Sequence, residues 1–295
     1  MSSRRLATGL AWPEGPTVLD DGRVVFVETY RSHVAVWGPG REVERFAFTG
    51  GGPNATVLGT QGEIYVTQNG GVVGPWRAPT MRPPSIQRID SSGTVEVMVT
   101  EVDGVRLQAP NDLAFGPDGR LYFTDPGNYD PVSKPDPGRV FAVAPDGTGE
   151  IIADGPPSYP NGIVVEADGA VVWVESYTGA VKRWRKGDIE QIATITERNA
   201  VLDGLAVATN GNLYITGGAS GGLHVLDPAG RQVEMLSVGV NPTNCAFADG
   251  VIYVTDGGHS GESDTAEFRG ALWALDVDVT GMSLFRNRLE HPSSA

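Results

Sequence analysis

The stretch PNDLAFGPDGRLYFTDP, residues 110–126, decides the fold. A short apolar strand leads into a turn at Asp118 and Gly119, and a second strand rich in aromatic residues follows and reaches Thr124. Two short apolar runs joined by a glycine turn and bounded by Pro and Asp are typical of a β-hairpin.

Related turn-and-strand units occur six times. They are DDGRVVFVE (20–28), TQGEIYVT (60–67), GPDGRLYFT (116–124), EADGAVVWVE (166–175), ATNGNLYIT (208–216) and ADGVIYVT (248–255). Their turn glycines, at 22, 62, 119, 169, 211 and 250, are 39 to 57 residues apart. A period of that size, built from short strands and turns, indicates a propeller. The chain is therefore predicted to be all-β, a six-bladed β-propeller.

A second repeat gives each blade its outer strands. Alternating strands that end in a turn follow each unit, for example IQRIDSSG (86–93), VFAVAPDG (140–147) and LHVLDPAG (223–230). Each blade is thus expected to be a four-stranded antiparallel sheet, within a single domain covering 1–295. The ring is expected to close through an N-terminal strand, residues 4–9, added to blade 6, which would leave 287–295 as a loose tail. Alternatively, residues 282–286 supply that strand.

Composition excludes several classes of protein. The net charge of −14 argues against nucleic acid or an anionic membrane as partner, and the chain has no apolar run long enough to span a bilayer. The N-terminus has no secretory signal, and a lone cysteine, Cys245, suits a reducing cytoplasm as a buried core residue. We expect a cytoplasmic protein that acts on a small molecule; its oligomeric state is open.

Polar residues recur at one equivalent position, the start of the innermost strand. Counting back from each turn glycine gives Glu14, Asn54, Asn111, Asn161, Asp203 and Thr243. Equivalent positions of all blades converge on the propeller axis, so these residues are predicted to form a ring of oxygen ligands.

Carboxylates and amides that face one small space repel or stay unsatisfied unless a cation joins them. Oxygen ligands favour Ca²⁺ before Mg²⁺ or Mn²⁺, and the absence of His and Cys from the ring lowers the expectation for Zn²⁺. Two other interpretations are open: the residues cap turns, as Asn and Asp before Gly often do, or the ion is purely structural.

At these motifs the chain resembles a known family. EGPTVLDDG, PNDLAFGPDGRLYFTDP, PNGIVVEADG and LDGLAVATNGNLYITGG are similar to segments of the gluconolactonase and regucalcin (senescence marker protein) family, whose wider relatives are phosphotriesterases of the diisopropyl fluorophosphatase type. The resemblance implies a lactonase in which Glu14, Asn161 and Asp203 hold the catalytic metal.

The same resemblance implies further roles. Asn111 would be a fourth metal ligand or would bind substrate beside the metal, and Asp203 would be a general base or nucleophile. One position departs from the family, because regucalcin-type sequences carry Arg where this chain has Ala109. Recognition of a sugar-acid lactone through that Arg is not available here.

Substrate contacts are expected from the loops at the same rim. Three connections are long, 68–85, 125–139 and 256–270, and long loops without regular structure are usually functional. The predicted substrate-binding residues are Asn54, Trp76, Tyr129, Tyr177 and His259. Their aromatic character suggests a substrate less polar than a simple sugar-acid lactone. Asp125, in the FTDP segment, either forms a turn or lines the mouth.

The sequence therefore predicts a metal-dependent hydrolase that opens a lactone or related cyclic ester by attack of water on a cation-polarised carbonyl. Asp203 and Asn111 are the predicted catalytic residues. Three alternatives are open: a phosphotriester or fluorophosphate hydrolase, a ring-rearranging isomerase of secondary metabolism, and a non-catalytic ligand-binding propeller with a structural ion.

Overall fold

The structure, a computed structural model, describes residues 2–197, 200–258 and 268–290. Within those ranges the chain is built from β-strands, with two single-turn 3₁₀ helices at Thr29–Arg31 and Gly218–Ser220 and no α-helix. None of the helices in this part of the chain is long and apolar enough to cross a membrane.

Twenty-eight strands, β1 to β28 in chain order, make up the described fold. The first is β1 (Ser3–Leu10). Blade 1 contains β2 (Pro13–Val18), β3 (Val24–Glu28), β4 (His33–Trp37) and β5 (Glu44–Phe48). Blade 2 contains β6 (Pro53–Leu58), β7 (Ile64–Gln68), β10 (Ser85–Ile89) and β11 (Val95–Val99), with a small ribbon, β8 (Val72–Val73) and β9 (Trp76–Arg77), inserted between β7 and β10. A second ribbon, β12 (Glu101–Val102) and β13 (Val105–Arg106), leads to blade 3, which contains β14 (Leu113–Phe115), β15 (Leu121–Asp125), β16 (Gly138–Val143) and β17 (Gly149–Gly155).

The remaining blades have the same order. Blade 4 contains β18 (Pro160–Val165), β19 (Val171–Glu175), β20 (Ala180–Arg185) and β21 (Asp188–Thr194). Blade 5 contains β22 (Leu202–Val207), β23 (Leu213–Gly217), β24 (Gly222–Leu226) and β25 (Gln232–Ser237). Blade 6 contains β26 (Pro242–Ala248), β27 (Val251–Asp256), β28 (Gly270–Asp276) and, as its outer strand, β1.

The first strands of the blades form a closed ring. Each of β2, β6, β14, β18, β22 and β26 contacts the next, and β26 contacts β2. Because β1 pairs antiparallel with β28, the N-terminal strand completes blade 6. The predicted six-bladed propeller with N-terminal closure is confirmed.

The core is divided among the joints between blades. The buried apolar residues of the described chain form six clusters, one at each blade-to-blade joint. Side chains alternate along a strand, so Val24 and Phe26 of β3 enter the cluster shared with blade 6, while Val25 and Val27 enter the cluster shared with blade 2. This two-sided burial explains why the second strand of each blade is continuously apolar.

The turn glycines have the backbone conformation that the repeat requires. In blades 1 to 5 the predicted turn glycines have φ between 81° and 85°, whereas Gly250 in the shorter turn of blade 6 has φ 68°. These angles lie in the left-handed region, which residues other than glycine rarely adopt because of their Cβ atom.

The C-terminal segment, residues 280–290, crosses the end of the propeller where the turn glycines lie. The Met282 amide donates to Val207 O (2.9 Å), the Asn287 side chain to Gly119 O (2.6 Å) and the Leu289 amide to Tyr65 OH (2.9 Å). The expectation of a loose tail from residue 287 is therefore wrong as far as residue 290, because these residues hydrogen-bond to blades 2 and 3. Residues 291–295 lie outside the described residues.

Candidate metal centre and active site

The predicted ring residues lie together at the inner ends of the first strands. Glu14, Asn54, Asn111 and Asn161 are buried, with 3 to 9% of their surface exposed, and Asp203 keeps a partial exposure to the channel. Four of these five residues lie in β2, β6, β18 and β22, and Asn111 lies just before β14. The pKa of Glu14 responds to the charge of Asp203, so these two carboxylates from opposite halves of the sequence share one centre.

A second layer of polar residues, Asp112 and Asn244, was not predicted. The Asn244 side-chain amide donates to Asp112 Oδ2 at 3.2 Å, and both residues are buried. Simple alternation would turn them away from the axis, but the register between first and second strands shifts at this point in five blades, including the blade of Asn244. In blade 3, Thr124 faces two residues, because its carbonyl accepts from the Asn111 amide (2.9 Å) and its amide donates to Asp112 O (3.0 Å). Such a bulge re-aims side chains. The signal was present in the polar third letters of PND and PTN, which an alternation rule assigns to the other face.

Side-chain hydroxyl groups join each blade to the next and fix the position of the ring residues along the propeller axis. The six hydrogen bonds run from Thr29 to Pro53 O, Thr67 to Asn111 O, Thr124 to Asn161 O, Ser176 to Leu202 O, Thr216 to Thr243 O and Thr243 to Pro13 O. Their lengths are 2.5 to 2.8 Å. Each acceptor is a ring residue or the residue before one, so these bonds set the positions of the ligand backbones.

The same joints correct one sequence-based expectation. Thr243 was expected to be the sixth oxygen ligand. Its hydroxyl instead donates to Pro13 O at 2.7 Å and shares a hydrogen bond with Thr255 Oγ1 at 2.9 Å. Thr243 therefore closes the ring between blades 6 and 1.

Glycine follows three of the ring residues because the blades approach each other closely there. A Cβ added to Gly15 would lie 2.1 Å from the Cα of Ala55, one on Gly162 2.4 Å from the carbonyl oxygen of Asp203, and one on Gly204 2.2 Å from the Cγ of Asn244. The ligands are thus brought together by backbone packing that excludes side chains at the next position.

The centre concentrates negative charge away from water. Burial, followed by the charges of Asp203 and Asp112, raises the pKa of Glu14 well above its ordinary value. Burial, followed by the charge of Asp112, does the same to the pKa of Asp203, which the Asn161 amide partly offsets. Burial also raises the pKa of Asp112 to about 6, against opposing hydrogen bonds from the Leu113, Asn244 and Ile163 nitrogens. Without a cation, the fold therefore disfavours the charged form of these carboxyl groups.

Two amide oxygens lack a partner at the same place. Asn111 Oδ1 and Asn161 Oδ1 are fully buried and accept no hydrogen bond from any residue that the structure describes, although Asn161 Nδ2 donates to Ser176 Oγ at 3.1 Å. A buried polar atom without a partner costs about 1–3 kcal/mol. A hard cation held between these oxygens and the two carboxylates removes both costs, so the residues fit a divalent ion.

In the described ranges, no group of three or more His, Cys, Asp or Glu side chains could hold a metal ion. A cation at this centre therefore depends on amide oxygens as well as on the carboxylates of Glu14 and Asp203. That ligand set favours an oxygen-preferring ion.

Two aromatic clusters lie at the rim. Trp12, Tyr30 and Trp76 form a stack, with ring centroids 5.5 and 4.9 Å apart and interplanar angles of 25° and 28°. Tyr129 and Tyr177 contact each other (5.8 Å) and Tyr159 (5.1 and 5.0 Å). The predicted contact residues thus separate, with Trp76 in one cluster and Tyr129 and Tyr177 in the other.

Trp12, Tyr30 and Tyr159 complete the clusters. Burial, followed by the charge of Glu14, raises the pKa of Tyr30 to about 12, and the pKa of Tyr129 is raised by burial and the charge of Asp203. Both clusters therefore lie close to the carboxylates. His259, the remaining predicted contact, lies outside the described residues.

A small cavity links one cluster to the ring. It has a volume of about 20 Å³, and its lining includes Asn54, Asn111, Tyr129 and Tyr159. The Asn54 side chain donates to Asn111 O at 3.1 Å, which keeps these two residues together. A larger cavity of about 80 Å³ lies on the other side of the ring, between Asp112 and Asn244 and the C-terminal segment, with mainly apolar walls.

Asp125 forms the expected turn with Pro126 and Gly127, since its Oδ1 accepts from the Gly127 amide at 3.4 Å. Its carboxylate accepts hydrogen bonds from the Gln108 amide at 2.8 Å and the Ala109 amide at 2.7 Å. Asp256 binds the Val240 and Asn241 amides in the same way at 3.1 and 2.9 Å. The acidic residues that end these second strands therefore anchor the chain that enters the first strand of the same blade.

Comparison with known proteins agrees with this geometry. A family model described as the SMP-30/Gluconolactonase/LRE-like region matches residues 12–258. A gluconolactonase of Zymomonas mobilis is 25% identical over 281 residues, covering 83% of this chain and 75% of that protein.

Solved structures have the same fold at lower identity. A calcium-binding protein, regucalcin, from Agrobacterium tumefaciens superposes with a TM-score of 0.77 at 18% identity, covering 98% of this chain and 97% of the other. A gluconolactonase from Xanthomonas campestris gives 0.73 at 21% identity, covering 95% and 89%.

Proposed function

The chain belongs to the SMP-30/gluconolactonase/LRE-like family, and from that premise we propose that it is a divalent-cation-dependent hydrolase that opens a lactone or related cyclic ester by attack of water. The observation that carries the proposal is the pair of buried oxygens, Asn111 Oδ1 and Asn161 Oδ1, which have no hydrogen-bond partner among the described residues and lie beside the carboxylates of Glu14 and Asp203.

Glu14, Asn111, Asn161 and Asp203 would hold the cation. Carboxylate and amide oxygens suit Ca²⁺ first, then Mg²⁺ or Mn²⁺, and the absence of His and Cys among these four makes Zn²⁺ the least suited. When bound, the cation would supply Lewis-acid polarisation of the ester carbonyl and a lower pKa for attacking water.

The side chains of the centre would have separate roles in proton transfer and in substrate positioning. Asp203 would accept the proton of the attacking water, since Glu14 Oε2 is already bonded to the Gly15 amide (3.2 Å) while Asp203 keeps partial exposure to the channel. Asn54 and Tyr129 would position the substrate, because they border the cavity next to Asn111. Gluconolactonases among the relatives support a small-molecule substrate. A cytoplasmic location is part of the proposal and rests on the single cysteine, which is buried.

The proposal is tested by a pH-stat panel of γ- and δ-lactones, aryl esters and a fluorophosphate. We expect protein stripped with EDTA to be inactive on lactones and to recover on addition of Ca²⁺. Asp203→Asn and Asn161→Ala should lose both activity and Ca²⁺ binding by calorimetry, whereas the matched surface variant Asp146→Asn should keep both. Full lactonase activity in metal-stripped protein would refute the mechanism, and fluorophosphate turnover without lactone turnover would replace the substrate class.

A further inference from the structure

Blades 1 and 4 differ from the other four blades at two equivalent positions on the rim. The residue before the first strand, or before its opening Pro, is Trp12 in blade 1 and Tyr159 in blade 4. The residue two positions beyond the second strand is Tyr30 in blade 1 and Tyr177 in blade 4. At the second position the other blades carry Gly70, Gly127, Ala219 and Gly258. In a closed ring of six, blades 1 and 4 stand opposite each other.

The backbone makes the two pairs equivalent in detail. The Thr29 amide donates to Trp12 O (3.1 Å) and the Tyr30 amide to Ala11 O (3.2 Å). In blade 4 the Ser176 amide donates to Tyr159 O (2.9 Å) and the Tyr177 amide to Ser158 O (3.0 Å). The two aromatic pairs are therefore held by the same local structure on opposite sides of the channel mouth.

Both pairs are held at the expense of backbone strain. Trp12 and Tyr159 have φ of 56° and 57°, a left-handed conformation that is uncommon for bulky residues. Strain of this kind persists where the surrounding structure over-determines it, and it concentrates at ligand sites. Glycine would adopt this conformation without strain. The aromatic side chains at these positions therefore have a use that offsets the cost of the strained backbone.

The shape of the Trp12, Tyr30 and Trp76 cluster favours a flat partner, whereas the rings of the tyrosine cluster are inclined to one another by 40° to 83°. Trp12, Tyr30 and Trp76 are layered nearly parallel, so a further planar ring continues the stack. A cage for a small cation would need ring faces that converge on one point. Five of the six aromatic residues keep part of their surface exposed, and only Tyr159 is buried.

We propose that the substrate is a lactone or cyclic ester fused to, or bearing, an aromatic ring, which lies between the blade 1 and blade 4 clusters while its ester group reaches the oxygen ring below. This inference rests on the proposed function and specifies its substrate class. Ala109, where regucalcin-type sequences carry Arg, supplies no cation of its own to bind a polyhydroxylated acid.

The test compares substrates that differ only in the fused ring. Values of kcat/KM are measured for dihydrocoumarin, δ-valerolactone and D-glucono-δ-lactone. In parallel, binding of their non-hydrolysable counterparts, 3,4-dihydroquinolin-2-one and δ-valerolactam, is followed by tryptophan fluorescence. We expect the bicyclic member of each pair to be favoured about tenfold or more. Trp76→Leu and Tyr177→Leu should each reduce that ratio about three- to tenfold.

Matched variants separate stacking from folding. Tyr177→Phe retains the ring and loses only the hydroxyl that accepts from the Asp130 amide, so it should keep the preference. Trp184→Leu, which removes a tryptophan paired with Tyr122 away from the axis, should keep it as well.

The possible results distinguish failure of the aromatic-substrate inference from failure of the proposed function. Lactone hydrolysis without preference for the bicyclic compounds, preference for D-glucono-δ-lactone, or binding of tetramethylammonium as tight as that of the quinolinone would overturn the inference and leave the proposed function standing. Absence of all hydrolysis with the lactam preference intact would overturn the proposed function and support the aromatic site.

Discussion

Replacing Asp112 with Asn should flatten the pH dependence of stability of the metal-free protein. Asp112 is buried beneath the ring, and burial raises the pKa of its carboxyl group from 3.8 to about 6. An acid whose pKa is higher in the folded state than in the unfolded state stabilises the fold below its unfolded pKa. That stabilisation is lost as the pH rises through the folded pKa.

The structure gives the size of the effect. The shift from 3.8 to about 6 is roughly two pKa units, which corresponds to about 3 kcal/mol over the whole range. About 1.5 kcal/mol of this falls between pH 5 and pH 7.5, or roughly 3–6 °C in melting temperature by the values for somewhat smaller domains. Glu14 and Asp203 act in the same direction, and the charge of Asp112 contributes to their raised pKa values. Asp112→Asn therefore removes the Asp112 part of the total and lowers the other two, so the value for Asp112 alone is a minimum.

The variant also changes hydrogen bonds, and this sets the choice of readout. An Asn at this position keeps an acceptor for the Leu113 amide (2.8 Å) but brings a donor toward Asn244 Nδ2. The stability of the variant at any one pH therefore reflects both the lost titration of Asp112 and the changed hydrogen bonds. The difference in free energy of unfolding between pH 5 and pH 7.5 contains only the titration.

The assay is urea denaturation in EDTA at both pH values, with wild type, Asp112→Asn and Asp146→Asn as an exposed control. We expect the pH 5 to pH 7.5 loss to be about 1.5 kcal/mol smaller in Asp112→Asn than in wild type and unchanged in the control. An equal loss in wild type and Asp112→Asn would show that Asp112 is not held in the environment described and would refute the reasoning.

Four further outcomes follow from the same structure. Calcium should raise the melting temperature more at pH 8 than at pH 5.5, because protons compete for the same raised-pKa carboxyl groups; an equal shift would place the ion elsewhere. Thr124→Val should cost about 1–2 kcal/mol in urea denaturation and weaken Ca²⁺ binding, since its hydroxyl donates to Asn161 O, while Thr124→Ser should behave like wild type. Gly15→Ala should fail to give folded protein by circular dichroism, because its Cβ would lie 2.1 Å from the Cα of Ala55; a folded variant would contradict the close approach. Leu289→Ala should lower the free energy of unfolding by about 2–4 kcal/mol, as the side chain is 1% exposed, and no change would mean that the C-terminal segment is not packed as described.

The repeat predicted the fold and the ring positions because residues at equivalent positions of successive blades lie around the same axis of a propeller. Glu14 and Asp203 are 189 positions apart in the sequence, yet each starts the innermost strand of its blade. Asn244 escaped prediction because a bulge breaks the alternation on which strand reasoning depends, and Asp112 because Thr124 bonds to the backbone of both Asn111 and Asp112.

Three other features could not be predicted from strand alternation or from the repeat. Nothing local distinguishes Trp12 and Tyr159 from ordinary loop aromatics, since their left-handed backbone arises from the surrounding turn. The C-terminal segment lacks period and apolar alternation, and its place follows from scattered hydrogen bonds to blades 2 and 3. Thr243 was misassigned because counting in register identifies a position and cannot tell which groups its hydroxyl will bond.

The pairing of β1 with β28 makes the order of synthesis matter. Blade 6 takes its outer strand from residues that are synthesised before the other five blades and its inner strands from residues that are synthesised after them. Glu14 and Asn161 would therefore face each other across a cation in a closed ring only after β1 has paired with β28. A chain interrupted before β28 would not close the ring and would not bind the proposed ion.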